Sequence, residues 1–288
     1  MSHCGGGAFR LAVLLAALIG IGMVTGWLCA GAVGLFLGAS LAIGVLVLGY
    51  MFSERLALRA VGARPIGEIQ YPELYRVVRE VATAARAPVP RVYLSSLETP
   101  NAFALGHSPR RAVVCVTAGL LRILDERELR GVLAHELNHV YQRDSLVLAV
   151  TATVATMVTW LANLAWLLPL SDAEDDDVPA LLGALLFLIV GPLAALVVRV
   201  GVSRSREYRA DEAAARLTGD PLGLAQALRK IEVRAHTHPA PRGRTLLASG
   251  HLMIVSPFPR RGLGRLFASH PPVVERIRRL RRLDETGM

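Results

Sequence analysis

The stretch VLAHELNHVYQRD, Val132–Asp144, places two histidines and one glutamate within five residues of each other in an apolar pattern. Apolar residues there recur every three or four positions, which predicts an amphipathic α-helix: Leu129, Val132, Leu133, Leu137 and Val140. Asp125, followed three residues later by Glu128, is a capping-box pattern and predicts the start of this helix.

Within this helix, His135, Glu136 and His139 form the pattern H-E-x-x-H. Residues four apart share one helix face, so both imidazoles can bind one metal ion while Glu136 reaches a water molecule beside it. The alternative is a solvated helix with two exposed histidines. A catalytic zinc site needs a third protein ligand. The metzincin class is excluded, because Gln142 and Ser145 stand where its glycine and third histidine would follow.

A third ligand is available in SRSREYRADEAAARLTGD, Ser203–Asp220, which reads as a second helix with Gly219 as its stop. Glu207 and Asp211 are four residues apart and share a face, so Glu207 could bind the metal while Asp211 orients one imidazole. The alternative is a surface helix of mixed charge, in which neighbouring arginines pair with both acids: Arg204, Arg206 and Arg209.

Four apolar stretches are long enough to cross a bilayer as helices, which takes about 20 residues each. Two lie in the uncharged run Leu11–Met51, as a hairpin near Trp27 to Gly31, and two more cover Ser145–Leu170 and Pro179–Val198. Gly34 and Gly38 have the spacing that lets membrane helices pack closely. We therefore expect transmembrane hairpins over residues 10–52 and 145–200, and a catalytic domain in two halves, residues 53–144 and 201–288.

The charges next to these stretches predict the orientation of the chain. An acidic loop, SDAEDDDV, Ser171–Val178, lies between the third and fourth stretches, whereas arginines flank the other ends. By the positive-inside rule, both termini and the catalytic domain are cytoplasmic, in a multi-pass inner (plasma) membrane protein. A cleaved signal peptide ending near Ala30 is the rival reading. It is disfavoured because the apolar run continues beyond that position.

Composition excludes other classes of protein. The chain has 288 residues, 53% of them hydrophobic, and a net charge of +9 that comes almost entirely from arginine. Those arginines are scattered between apolar blocks, so no nucleic-acid partner is expected. The three cysteines have neither metal-binding nor disulfide spacing, and Cys115 reads as a small buried side chain.

Three β-prone runs, RVYLSS, NAFAL and RRAVVCVT, predict a small sheet that precedes the H-E-x-x-H helix in the chain. If Asn101 to Leu105 form its exposed edge, an extended peptide can add to that edge through main-chain hydrogen bonds. Asn101, Ala102, Phe103 and Ala104 are therefore the expected substrate-binding residues. The same sheet would also serve as plain structural support.

These segments together resemble the HtpX-type integral-membrane zinc metalloproteases, relatives of the CAAX-prenyl endopeptidases. Besides the H-E-x-x-H pattern, the likeness covers NAFALGHSPRRAVVCVTAGLL (Asn101–Leu121), SRSREYRAD (Ser203–Asp211) and FASHPPVVERIRRL (Phe267–Leu280), in the family's order.

The resemblance implies an α+β, zincin-like (gluzincin) metalloprotease domain with a small β-sheet, on four transmembrane helices. It implies one Zn²⁺ per chain held by His135, His139 and Glu207, with Glu136 as general base and Asp211 supporting the site. It further implies that Asn101 and His270 stabilise the oxyanion, although His270 could equally be a structural histidine.

The expected activity is zinc-dependent hydrolysis of peptide bonds in misfolded or damaged membrane proteins, a stress response that takes place beside the lipid bilayer. Two alternatives remain. One is a CAAX-type processing protease, and the other is a non-catalytic membrane scaffold with a structural metal, which would have no use for Glu136.

Overall fold

The computed structural model describes residues 5–106, 108–141, 204–237 and 271–287. The chain divides into two compact units, and among the described residues the first holds 5–53 and the second holds the rest. The predicted spans over 145–200 lie outside the described residues, as does His270.

Helix α1, Gly5–Ala60, turns back on itself at Ala30 and Gly31, whose backbone angles are not helical. A Cβ atom on Gly26 would overlap the carbonyl oxygen of Gly34, and one on Gly38 would overlap that of Gly22. Such close approach requires two arms packed side by side, because even the 8 residues from Gly26 to Gly34 would extend about 12 Å in a straight helix. The glycine spacing noted in the sequence therefore serves this contact.

The second arm of α1 has the length and composition of a membrane span. Among the described residues, one helix meets those criteria, Ala30–Ala60, with a mean hydropathy of 2.3 over its most apolar window. Only 17% of that window is buried within the protein, so most of its apolar side chains face outward. Outward-facing apolar side chains are expected of a helix whose surroundings are lipid.

The second unit contains a four-stranded sheet in the order β1-β2-β4-β3. Its strands are β1 (Arg64–Pro65), β2 (Arg91–Ser95), β3 (Ala102–Leu105) and β4 (Val113–Thr117). The three strands predicted from the sequence are confirmed. Strand β1 was not predicted, because two residues carry no alternating pattern, and the parallel pairing of β2 with β4 is likewise visible only in the structure.

Six helices among the described residues belong to this unit and lie mostly on one side of the sheet. They are α2 (Pro72–Ala84), α3 (Ala118–Ile123), α4 (Glu126–Tyr141), α5 (Arg204–Thr218), α6 (Pro221–Thr237) and α7 (Val273–Glu285). The predicted stop of α5 is confirmed, since Gly219 follows it with φ at 67°.

Two apolar clusters of described residues hold the second unit together. The larger joins one face of the sheet, including Ala102 and Ala104, to buried side chains of α2, α4 and α6. The smaller cluster joins the opposite face of the sheet, which includes Phe103 and Cys115, to the last turns of α1. Cys115 is fully buried and its apolar surroundings raise the pKa of its thiol to about 12, which confirms it as a core residue.

Candidate metal centre

Helix α4 presents the H-E-x-x-H residues to the interior. The predicted capping box is confirmed: the backbone N–H of Glu128 donates to Asp125 Oδ1, and that of Asp125 donates to Glu128 Oε2, at 2.8 Å and 3.0 Å. Glu128 is almost fully buried and also binds Lys230 of α6 at 2.7 Å. These contacts fix the start of α4 against its neighbour.

Helix α5 lies against α4 and brings Glu207 and Asp211 to the same place. Ala210, Ala214 and Ala215 on α5 are fully buried, and their small side chains allow the two helices to approach closely. Glu207 is 4% exposed and Asp211 is 3% exposed, so neither carboxylate lies on a solvated surface. The mixed-charge alternative for this segment is therefore wrong for these two acids.

His135, His139 and Glu207 point at one another in the interior. Their nitrogen and oxygen ligand atoms all lie within 4.8 Å of one another. The two Nε2 atoms are 3.4 Å apart, and each is 3.6 Å from an oxygen of Glu207. Both histidines are at most 7% exposed, which makes the alternative of two exposed histidines wrong.

These separations fit a metal ion. At 3.6 Å the imidazole–carboxylate contacts are too long to be good hydrogen bonds. Tetrahedral nitrogen and oxygen ligands 2.0–2.1 Å from a zinc ion lie about 3.3 Å apart, close to what is observed here. Three converging ligands leave a fourth position for water or substrate, which is the pattern of a catalytic centre.

The second nitrogen of His135 is held by Asp211, and Asp211 is held in turn by Arg276 of α7. His135 Nδ1 lies 3.0 Å from Asp211 Oδ1. Arg276 donates from Nε and Nη2 to the two oxygens of Asp211, at 2.8 Å and 2.6 Å. Since Nδ1 then donates to Asp211, the Nε2 lone pair of His135 is directed at the metal position.

Burial alone would raise the pKa of Asp211, but the charge and hydrogen bonds of Arg276 outweigh it, and the pKa lies below its usual value. Burial and Arg276 act to lower the pKa of His135, yet the hydrogen bond and charge of Asp211, together with the nearby carboxylate of Glu207, raise it to about 9. The two acids therefore stabilise positive charge at this position. That charge can come from a proton on His135 or from a bound metal ion.

Arg276 is the residue that the sequence analysis missed. It is completely buried, on the same face of α7 as the buried Val273 and Leu280. The signal was present, because Arg276 is three residues after Val273 and four before Leu280, on the buried face. A charge on an apolar face needs a buried partner, and here the partner is Asp211.

Asn101 lies directly before β3 and is 4% exposed. Thr117 at the end of β4 fixes its backbone: Asn101 N donates to Thr117 Oγ1 at 2.9 Å, and Thr117 N donates to Asn101 O at 3.0 Å. The same hydroxyl donates to Thr99 O and accepts from Leu120 N, which caps α3. The loop before β3 is thus held firmly in place.

Residues 68–284 match the model of peptidase family M48. Three proteins described as "Protease HtpX homolog" are similar over most of their length. The one from Kineococcus radiotolerans is 49% identical over 81% of each chain. The one from an Arthrobacter species is 44% identical over 93% of this chain and 92% of its own. The one from Syntrophobacter fumaroxidans is 42% identical over 96% and 99%, respectively.

The fold also resembles the crystal structure of Ste24p from S. mikatae, with a TM-score of 0.53 and 17% sequence identity. The similarity covers 95% of this chain but 64% of that one, so this chain spans just under two thirds of that protein.

Proposed function

The chain belongs to peptidase family M48 and is a membrane-associated metalloprotease, and from this we propose that it is a zinc-dependent endopeptidase of misfolded or damaged membrane proteins. The observation that carries the proposal is the buried group of His135, His139 and Glu207, with Glu136 next to the first ligand on the same helix. Two imidazoles and one carboxylate are a ligand set that suits catalytic zinc.

In this proposal His135, His139 and Glu207 hold one zinc ion. When bound, zinc supplies a Lewis acid that lowers the pKa of a water molecule and polarises the scissile carbonyl. Glu136 takes the proton of the attacking water and returns it to the departing amine. Glu136 is itself buried, at 7% exposure, on the same helix as both histidines.

Asn101 and His270 are proposed to donate hydrogen bonds to the oxyanion of the tetrahedral intermediate. Asn101 is supported by its firm backbone position on β3, whereas the assignment of His270 rests on the sequence. Asp211 keeps His135 in the tautomer that binds metal through Nε2.

Strand β3 is proposed to receive the substrate as an added strand. It is an edge of the sheet within the described residues, because it pairs with β4 alone. The hydrogen bond from Thr117 N to Asn101 O makes that opposed pair a bonded one. In an antiparallel ladder bonded and non-bonded pairs alternate, so Ala102 and Ala104 direct their N–H and C=O groups away from β4. Those groups can pair with an extended peptide in a sequence-independent way.

The membrane arrangement is part of the proposal. The zincin-like domain is built from residues 53–144 and 201–288, on four spans formed by two hairpins, with the domain and both termini cytoplasmic. The apolar, outward-facing arm of α1 and the arginines flanking the apolar stretches support it. A site at this position would meet membrane proteins as substrates.

The test is zinc content and casein hydrolysis on the detergent-purified full chain. Glu136→Gln should keep about one zinc per chain while hydrolysis falls by a factor of 10²–10⁴, the usual contribution of a general base. Glu207→Ala should lose most of its zinc. Glu212→Gln is the matched control, since the carboxylate of Glu212 pairs with Arg216 at 2.6 Å on the outer side of the same helix, and it should keep both properties.

If Glu136→Gln still hydrolyses casein at a comparable rate, Glu136 is not the general base. Normal zinc content in Glu207→Ala would mean that the third ligand lies elsewhere. If wild type binds zinc and cleaves neither casein nor denatured membrane proteins, the structural-metal scaffold would replace the peptidase proposal.

A further inference from the structure

An open groove of about 660 Å³ lies between α5 and α7, on the outer side of the metal centre. We call it the arginine groove, after four of the side chains that line it: Arg204, Arg209, Arg279 and Arg282. Tyr208 and two acids, Asp211 and Glu212, also line it. Its volume lies within the range of small-ligand sites. Four guanidinium groups around one groove are unusual, since like charges repel one another.

The acids around the groove do not neutralise it. Asp211 is occupied by Arg276, and Glu212 pairs with Arg216. Arg279 stacks on the Tyr208 ring at 3.7 Å and lies 3.6 Å from Glu275. Within the described part of the chain, no carboxylate forms an ion pair with the remaining three groove arginines: Arg204, Arg209 and Arg282.

The rest of the sequence offers little to balance this charge. Residues 238–270 contain five arginines and no aspartate or glutamate. Residues 142–203 carry their acids at Asp144 and in the loop 172–177, which the charge pattern assigns to the opposite side of the membrane. The groove is therefore suited to an anion from outside the chain.

The position of α5 indicates which anion. Arg204 follows the apolar stretch Pro179–Val198 closely, and a link of that length reaches at most about 20 Å. If that stretch spans the membrane as proposed, the first turn of α5 lies at the level of the lipid headgroups. Anionic lipids attract basic residues there. Guanidinium groups match phosphate oxygens with paired hydrogen bonds.

We propose that the arginine groove binds the phosphate of an anionic phospholipid, such as phosphatidylglycerol. The bound lipid ties α5, which carries Glu207, and α7, which carries Arg276, to the bilayer surface. The inference rests on the proposed membrane arrangement and not on the proposed chemistry.

The experiment is native mass spectrometry of the detergent-purified full chain titrated with phosphatidylglycerol. The groove variant is Arg204→Gln/Arg209→Gln/Arg282→Gln. Its matched control is Arg110→Gln/Arg278→Gln/Arg281→Gln, which removes the same charge from exposed positions outside the groove. A basic residue at an anionic surface contributes about fivefold in affinity, so the groove variant should bind roughly a hundredfold more weakly. The control should bind like wild type.

Equal losses of lipid affinity in the two variants would overturn the proposal, because binding would then follow net charge alone. Equal binding of phosphatidylcholine would also overturn it. Displacement of the lipid by glycerophosphoglycerol or inorganic phosphate at similar concentration would make this a free-anion site and not a lipid site. Arg282→Glu, a single change at an exposed position, repeats the test if the triple variant does not fold.

No substrate is used in these measurements, so their failure leaves the peptidase proposal intact. Conversely, a result that contradicts the peptidase proposal would leave the lipid-binding proposal intact.

Discussion

At the scale of single residues, the centre depends on which atom of His135 faces which partner. Nδ1 faces Asp211 at 3.0 Å, and Nε2 faces His139 and Glu207. Glu207 and Asp211 are both buried acids four residues apart, yet Glu207 faces the two imidazoles whereas Asp211 faces Arg276. Their roles therefore differ because of their neighbours and not because of their chemistry.

We expect Asp211→Asn to weaken zinc binding by about 10-fold to 100-fold, the usual cost of losing a carboxylate that orients a metal-binding histidine. Competition with a chromophoric chelator measures it. Glu212→Gln, one residue further along α5, should bind zinc like wild type. Equal affinity of Asp211→Asn and wild type would show that Asp211 does not orient His135.

We expect Arg276→Met to lower the free energy of unfolding by roughly 3–5 kcal/mol, because it leaves the buried carboxylate of Asp211 without its cation. Thermal unfolding of the detergent-purified protein measures the loss. Adding Asp211→Asn to Arg276→Met should restore part of the stability, since the double variant has no unpaired buried charge. Additive losses would mean that the two side chains are not energetically coupled.

At the scale of elements, β3 and the two ligand helices are fixed by local signals and by one another. The capping box starts α4, Gly219 ends α5, and Thr117 holds the first residue before β3. Along β3 the main chain alternates, so that Phe103 pairs with β4 while Ala102 and Ala104 direct their polar groups to the side away from β4. All four residues of β3 are buried, so the exposed edge expected from the sequence is not observed, and strand addition requires the covering chain to give way. This alternation makes the proposed substrate edge testable.

Ala104→Pro should remove one outward N–H and leave the β3–β4 ladder intact, since proline is tolerated on a strand edge that faces outward. Losing one main-chain hydrogen bond to the substrate should lower kcat/KM for an unstructured peptide about tenfold. Tm should fall less than in Phe103→Pro, because no ladder bond is lost. Phe103→Pro is the contrast, because it removes a ladder bond to Cys115 and should destabilise the fold itself. Unchanged kcat/KM in Ala104→Pro would argue against strand addition.

At the scale of the whole molecule, the centre is assembled from segments that are distant in sequence. Arg276 lies 141 residues from His135, and the two predicted spans over 145–200 stand between the ligand helices. A catalytic domain in two halves therefore requires the intervening chain to return to the side of the membrane on which it began.

That requirement predicts the accessibility of the acidic loop. In a variant with its three native cysteines replaced, Ser171→Cys should react with a membrane-impermeant maleimide added outside intact cells. Ser2→Cys, at the terminus expected in the cytoplasm, should react only after the cells are permeabilised. The reverse pattern would invert the proposed orientation, and labelling of both from outside would contradict the paired spans.

The sequence by itself determined whatever depends on short-range periodicity. His135 and His139 share a face because the α-helix repeats every 3.6 residues, and the strand segments and the cap at Asp125 follow from equally local rules. It also identified Glu207 and Asp211 as candidates, but it could not separate a buried pair from a surface pair matched to nearby arginines. Only the tertiary structure decided that they meet His135, that Arg276 is buried against Asp211, and that β2 and β4 are parallel. The reason is physical: these contacts depend on how helices and strands distant in sequence pack, and local spacing carries no information about that packing.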